Sequence, residues 1–101
     1  MKLADIAALI RSKNAGPFTL TFDIMFADQA SYVRVKKSGA LTQASFAKLY
    51  GCREEKVLFF QCDNALAFKF SIPRPLTQGE PGDGDMHGGQ QFVPLMNVEI
   101  R

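Results

Sequence analysis

Two polar stretches hold the residue types that could do chemistry in this chain. The first is Arg11, Ser12, Lys13 and Asn14, followed by Ala15, Gly16 and Pro17. Two cations, a hydroxyl and an amide beside a glycine turn suit a carboxylate or phosphate, because the guanidinium fork and turn backbone donors both favour anions. The plainer reading is a solvated turn whose polar groups cap the adjoining segments. The second stretch, Gly79 to Gln91, holds five of the eight glycines, the single histidine His87, and Asp83, Asp85, Gln90 and Gln91. Oxygen and imidazole groups at every second position (Asp83, Asp85, His87) would suit a divalent ion. Asp-Gly pairs are ordinary turn formers, however, and a lone histidine is seldom a ligand, so no metal is assigned. Gly88 and Gly89 serve better to let backbone approach a ligand or a neighbouring chain closely. Arg74, between Pro73 and Pro75, is stiffly displayed at a strand end. Asp23 reads as a solvated carboxylate. Neither a Walker motif nor GxGxxG is present, and no feature unites His87 with Ser12 as base and nucleophile.

The bulk numbers bound what these stretches can belong to. A chain of 101 residues is one domain, 1–101, and 47% apolar residues with nine phenylalanines can build its core. A net charge of +2 with scattered basic residues does not point to nucleic acid. The longest apolar runs, Ala7–Ile10 and Val57–Phe60, fall far short of the ~20 residues of a membrane helix. Asp5 follows the N-terminus at once, against a signal-peptide pattern, and Cys52 and Cys62 lie outside any CxxC spacing. A cytoplasmic location with reduced thiols is expected.

The elements that must position the polar stretches follow from periodicity. Leu3, Ile6, Ala7 and Ile10 suggest a short helix or irregular arm over residues 1–17, ending in the Arg11–Gly16 turn. Phe18, Leu20, Phe22, Ile24 and Phe26 alternate with Thr19, Thr21, Asp23 and Met25, which specifies a strand with one buried face. Asp28 caps a helix that ends at Gly39 and buries Tyr32, Val33 and Val35. Thr42 caps a second, with Phe46, Leu49 and Tyr50 on one face and Gly51 as its stop. Val57–Phe60 and Leu66–Ile72 form a hairpin, ended by Pro73. Met96, Val98 and Ile100 alternate as a final strand after a glycine-rich loop over residues 76–91. The expected fold is α+β: an antiparallel sheet with two short helices on one face. It approximates a ferredoxin-like plan in which the long loop replaces the helix before the last strand.

Four segments carry a family resemblance: Leu3–Ala7, Arg11–Phe18, Ser71–Pro75, and Gly82–Asp85 through Gly89–Gln91 with Pro94 and Leu95. In these the chain resembles small domain-of-unknown-function proteins usually encoded beside a larger acyclic-terpene-utilisation (AtuA-like) protein. The opening block is also similar to the ferredoxin-fold domain at the C-terminus of some AtuA-like proteins. There the run reads Arg-Ser-Gly-Asp-Lys-Gly, so Arg11 and Ser12 match while Lys13 and Asn14 depart. The resemblance implies a small subunit docking on an AtuA-like large subunit. It further implies a hydratase or lyase acting on a carboxylic acid or its CoA thioester, with the cofactor left open. The alternative is a non-catalytic structural or regulatory module for the same partner. Arg11, Ser12, Lys13, Asn14, Gly16, Arg74, Asp83, Asp85, Gln90 and Gln91 form the expected binding set. Family members often carry tyrosine at the place of His87, which argues against an obligatory role for that residue.

Overall fold

The computed structural model describes residues 1–16, 19–73 and 93–100. In chain order the elements are α1 (Leu3–Ile6), β1 (Leu9–Asn14), β2 (Thr19–Met25), α2 (Gln29–Ser38), α3 (Gln43–Tyr50), β3 (Leu58–Cys62), β4 (Ala67–Pro73) and α4 (Val93–Met96). The strands make one antiparallel sheet in the order β1-β2-β4-β3.

The alternation in β2 does what its period dictates. Leu20, Phe22 and Ile24 are buried and pair in register with Ile72, Phe70 and Phe68 of β4, which are buried too. Helices α2 and α3 cover this face. Asp28 begins α2 by accepting the Ser31 backbone N–H at 2.7 Å, a bond that also holds its carboxyl below the usual range. Thr42 and Ser45 form a reciprocal box at the start of α3, each side chain bonded to the other's backbone N–H at 3.0 and 2.9 Å. Gly39 and Gly51 close the two helices at φ +71° and +66°, in the left-handed region. The helix faces differ slightly from expectation: Phe46 is buried and Tyr50 half-buried, but Leu49 stays exposed.

Phe46 is the centre of the core. Its ring lies nearly parallel to Phe70 at 4.1 Å, stacks on Tyr50 at 4.6 Å and meets Phe22 edge-on at 5.0 Å. Phe59 of β3 stacks on the other flank of Phe70 at 4.6 Å. Offset and edge-on pairs of this kind add to the burial that drives the layers together.

Two expected elements are corrected. The segment read as an arm and turn contains α1 and the six-residue strand β1, so Arg11–Asn14 is a strand, with the turn confined to Ala15 and Gly16 among the described residues. The cause is visible in the register. Of the inward positions Ile10, Ser12 and Asn14 only one is apolar, which erases the period-two signal, while β2 supplies the hydrogen-bond ladder. At the other end, the strand expected over 96–100 is reduced to one bridge, Lys2 with Glu99, after the short helix α4. Pro94 lacks the N–H a ladder needs but fits a first helical turn. Leu95 and Ile100 remain buried, and the Leu3 backbone N–H bonds the Val98 carbonyl at 2.8 Å. The glycine-rich stretch 76–91 lies outside the described residues.

In the order β2-β4-β3, β4 lies between the strands that precede and follow helices α2 and α3 and is antiparallel to both. The place beside β2, expected for the last strand, is taken by β1 from the preceding side of the chain.

Candidate functional site

Because side chains alternate along a strand, the Arg11–Asn14 block is divided between two faces. Ser12 and Asn14 point toward the helices; Ser12 is buried opposite Phe22. Arg11 and Lys13 point to the other face of the sheet, which none of the helices α1–α4 is needed to explain: its residues are polar at the centre and apolar at one edge. The register sets out its rows. Arg11, Asp23, Lys69 and Phe60 lie side by side across the four strands. Lys13, Thr21, Ser71 and Leu58 form the next row.

The first row carries the charge. Arg11 Nε donates to Asp23 Oδ2 at 3.0 Å, with the arginine side chain 51% and the aspartate 14% exposed. Asp23 is therefore held in the sheet surface rather than solvated, contrary to the sequence reading. Its backbone partner on the far side is Lys69, so one carboxylate sits between two cations in register, and Lys13 adds a third cation one row away. In the second row the hydroxyls of Thr21 and Ser71 are 3.4 Å apart. Toward β3 the surface turns apolar, with Leu58 56% and Phe60 50% exposed. A depression of about 140 Å³ lies at this end, lined by Thr19, Lys56, Leu58, Ser71, Ile72 and Pro73. Three cations, one carboxylate and two hydroxyls beside an apolar strip can bind an anion that carries an apolar portion.

Gly16 adopts φ +91° at the start of the turn that follows β1, a conformation that glycine adopts without strain. Of the remaining expected site residues, Arg74, Asp83, Asp85, Gln90 and Gln91 lie outside the described residues, as does His87. Among the described residues no group of three or more His, Cys, Asp or Glu side chains converges. Also among these residues, no helix is long and apolar enough to cross a membrane.

A second polar cluster escaped the sequence reading. Tyr32, whose ring is buried on α2, donates its hydroxyl to Asp63 Oδ1 at 2.5 Å, and Lys36 Nζ reaches the same oxygen at 3.1 Å. Burial first, and then the bond to Asp63, push the Tyr32 hydroxyl up to about 12, so it stays protonated at neutral pH. Tyr32 and then Lys36 hold the Asp63 carboxyl below its usual 3.8. A depressed carboxyl contributes stability that is present above the unfolded value and is lost as pH falls through the folded value. The stability difference between wild type and Asp63→Asn is thus expected to shrink on acidification below about pH 4. The Asp63 carboxyl carbon, followed by NMR, should titrate at higher pH in Tyr32→Phe than in wild type; an unchanged midpoint would show that the hydroxyl does not hold the carboxylate. The spacing of Tyr32 and Lys36, one helical turn apart, was the only sign of this cluster in the sequence, since Asp63 reads as a turn residue.

Fold and surface together define a small α+β domain with one sheet face under helices and the other presenting a basic, partly apolar surface. The chain belongs to the family described as Domain of unknown function (DUF4387), whose model matches residues 3–99. No curated protein and no solved structure matches it.

Proposed function

We propose that this chain is the small subunit of a hetero-oligomeric enzyme with an AtuA-like large subunit, a hydratase or lyase for a carboxylic acid or its CoA thioester. The resemblance of the Arg11–Phe18 and Ser71–Pro75 segments supplies the partner and the class of reaction. The single observation that supports a ligand-facing role is the row Arg11–Asp23–Lys69, two cations in register about a carboxylate that is largely withdrawn from solvent. In this reading Arg11, Lys13 and Lys69 hold a substrate carboxylate or a CoA phosphate, and the apolar strip of Leu58 and Phe60 accepts the remainder of the ligand or the partner's surface. Gly16, Arg74, Asp83, Asp85, Gln90 and Gln91 complete the binding set, Ser12 and Asn14, on the helix-facing side of β1, position the strand that carries Arg11 and Lys13, and the large subunit supplies most of the chemistry. A cytoplasmic location belongs to the same proposal. The exposure of Leu9, Leu58 and Phe60 favours a second reading, a structural or regulatory module for the same partner, since large apolar groups on one face suit a protein interface.

Co-expression with the AtuA-like protein separates the readings. A charge-assisted hydrogen bond contributes about 1.5–3 kcal/mol, so Arg11→Ala in an intact complex is expected to lower kcat/KM by roughly ten- to a hundredfold. Lys69→Ala, which leaves Asp23 paired with Arg11, is expected to act in the same direction without affecting the fold. Dissociation of the complex with turnover unchanged in the residual assembly supports the module instead. Purification of the two proteins apart, under every condition of co-expression, overturns both.

A further inference from the structure

A surface suited to an anion carries a carboxylate at its centre, in the row Arg11–Asp23–Lys69. Coulomb repulsion alone makes Asp23 unfavourable there. Stability does not account for it either, since a cross-strand pair whose arginine is 51% exposed contributes little in water. The atoms that meet supply a reason. Arg11 donates through Nε, the guanidinium nitrogen nearest the chain, and among the described residues neither Nη group has a partner. Lys69 stands opposite Asp23 on the other side, yet only Arg11 comes within ion-pair distance of the carboxylate. Among the described residues Lys13 and Lys69 make no ion pair at all. Asp23 therefore serves one cation of the three.

The two partners differ in how firmly they are held. Asp23 lies on β2, laddered to β1 on one side and β4 on the other, with a short side chain only 14% exposed. Arg11 lies on the edge strand β1, and its long stem samples many rotamers when unattached. A fixed acceptor at Nε orients the planar guanidinium and leaves its Nη groups as a fork for two oxygens. We infer that Asp23 is a positioning residue of this anion site, holding Arg11 by Nε so that both Nη groups meet an incoming oxyanion. The inference rests on the ligand-binding reading of the Arg11 row given above. A carboxylate and a phosphate share the chemistry required, and Lys13 and Lys69 add unpaired positive charge beside the fork. Less order is lost on binding, because Arg11 is held before the ligand arrives.

NMR titration of the full chain with inorganic phosphate, and with butyrate in a parallel arm, tests this. Charge alone predicts tighter binding when Asp23 is removed, whereas positioning predicts the opposite sign. Asp23→Ala is expected to weaken binding about three- to tenfold. Asp23→Asn removes the same charge but keeps an oxygen for Nε, and should stay within about twofold of wild type. The Arg11 Nε–Hε resonance should persist in wild type and Asp23→Asn and broaden away in Asp23→Ala. In an Arg11→Lys background, which lacks the fork, Asp23→Ala should instead tighten binding, because only repulsion is then relieved. Asp23→Val, whose branched side chain suits a strand, repeats each comparison if alanine unfolds the chain. These dependences with either probe support the proposal, and the probe bound more tightly names the head group. If Arg11→Ala weakens binding while Asp23→Ala or Asp23→Val tightens it, or if Asp23→Asn and Asp23→Ala behave alike, the positioning role is overturned and the site stands. Binding indifferent to Arg11→Ala, or no binding of either probe, overturns the ligand-binding reading and this inference with it.

Discussion

Phe46→Ala is expected to destabilise the domain by about 3–5 kcal/mol, the range for a large aromatic removed from a core that cannot collapse around the gap. Phe46 is 1% exposed and touches rings on three elements: Phe70 on β4, Phe22 on β2 and Tyr50 on its own helix. Tyr50 feels burial as well, which pushes its hydroxyl upward despite a backbone hydrogen bond from Leu95. The cavity left by Phe46 would be walled by strands that the sheet register holds in place, so relaxation is small. Against a whole stability of about 5–15 kcal/mol, the loss is a large fraction. Urea unfolding followed by circular dichroism measures it as a lower midpoint at an unchanged slope. Leu49→Ala, one turn along the same helix but 39% exposed, should cost well under half as much. Equal losses at the two positions would contradict the packing described above.

Leu3→Ala has the second-largest expected effect, about 2–5 kcal/mol. Leu3 is fully buried and sits where α1 meets α4, and the junction is bonded along its length. The Val98 carbonyl accepts from Leu3, the Met1 carbonyl accepts from Ile100 at 2.6 Å, and the Met1 ammonium meets Glu99 at 2.7 Å. The exposed Met1–Glu99 pair contributes little in water, so the apolar anchor must dominate. Amide exchange would show this directly. Leu3→Ala should raise exchange at Leu3 and Ile100 together while the β2–β4 ladder keeps its protection, whereas Glu99→Gln should leave both nearly unchanged.

Strong local patterns carried the fold. In β2, Leu20, Phe22 and Ile24 repeat at the strand period, and the caps Asp28 and Thr42 mark helix starts that the structure places one residue later. β1 was illegible because Ser12 and Asn14 occupy its inward positions, so the strand exists through its partner rather than its own composition. The terminal segment misled for the converse reason. Met96, Val98 and Ile100 alternate, yet Pro94 and Leu95 start a helical turn, and burial of Ile100 is reached without a ladder. For the surface site, Arg11 and Lys13 were legible as cations near a turn. Their separation from Ser12 and Asn14 was not, because that depends on knowing the block is a strand. Asp23 and Lys69 could not be joined to Arg11 from spacing alone, since their juxtaposition is a property of the register between distant strands.

That register also sets the order of events as the chain folds. β1 with β2, and β3 with β4, are pairings between near neighbours in sequence and can close within microseconds. The β2–β4 seam joins residues on opposite sides of both helices, so its loop-closure entropy falls due before any of its contacts form. Docking of the two hairpins is then expected to be the slow step, with Phe22 and Phe70, opposed across the seam, in the nucleus. Substitutions at those two positions should slow folding in stopped-flow measurements, whereas changes at the outer strands should show themselves mainly as faster unfolding.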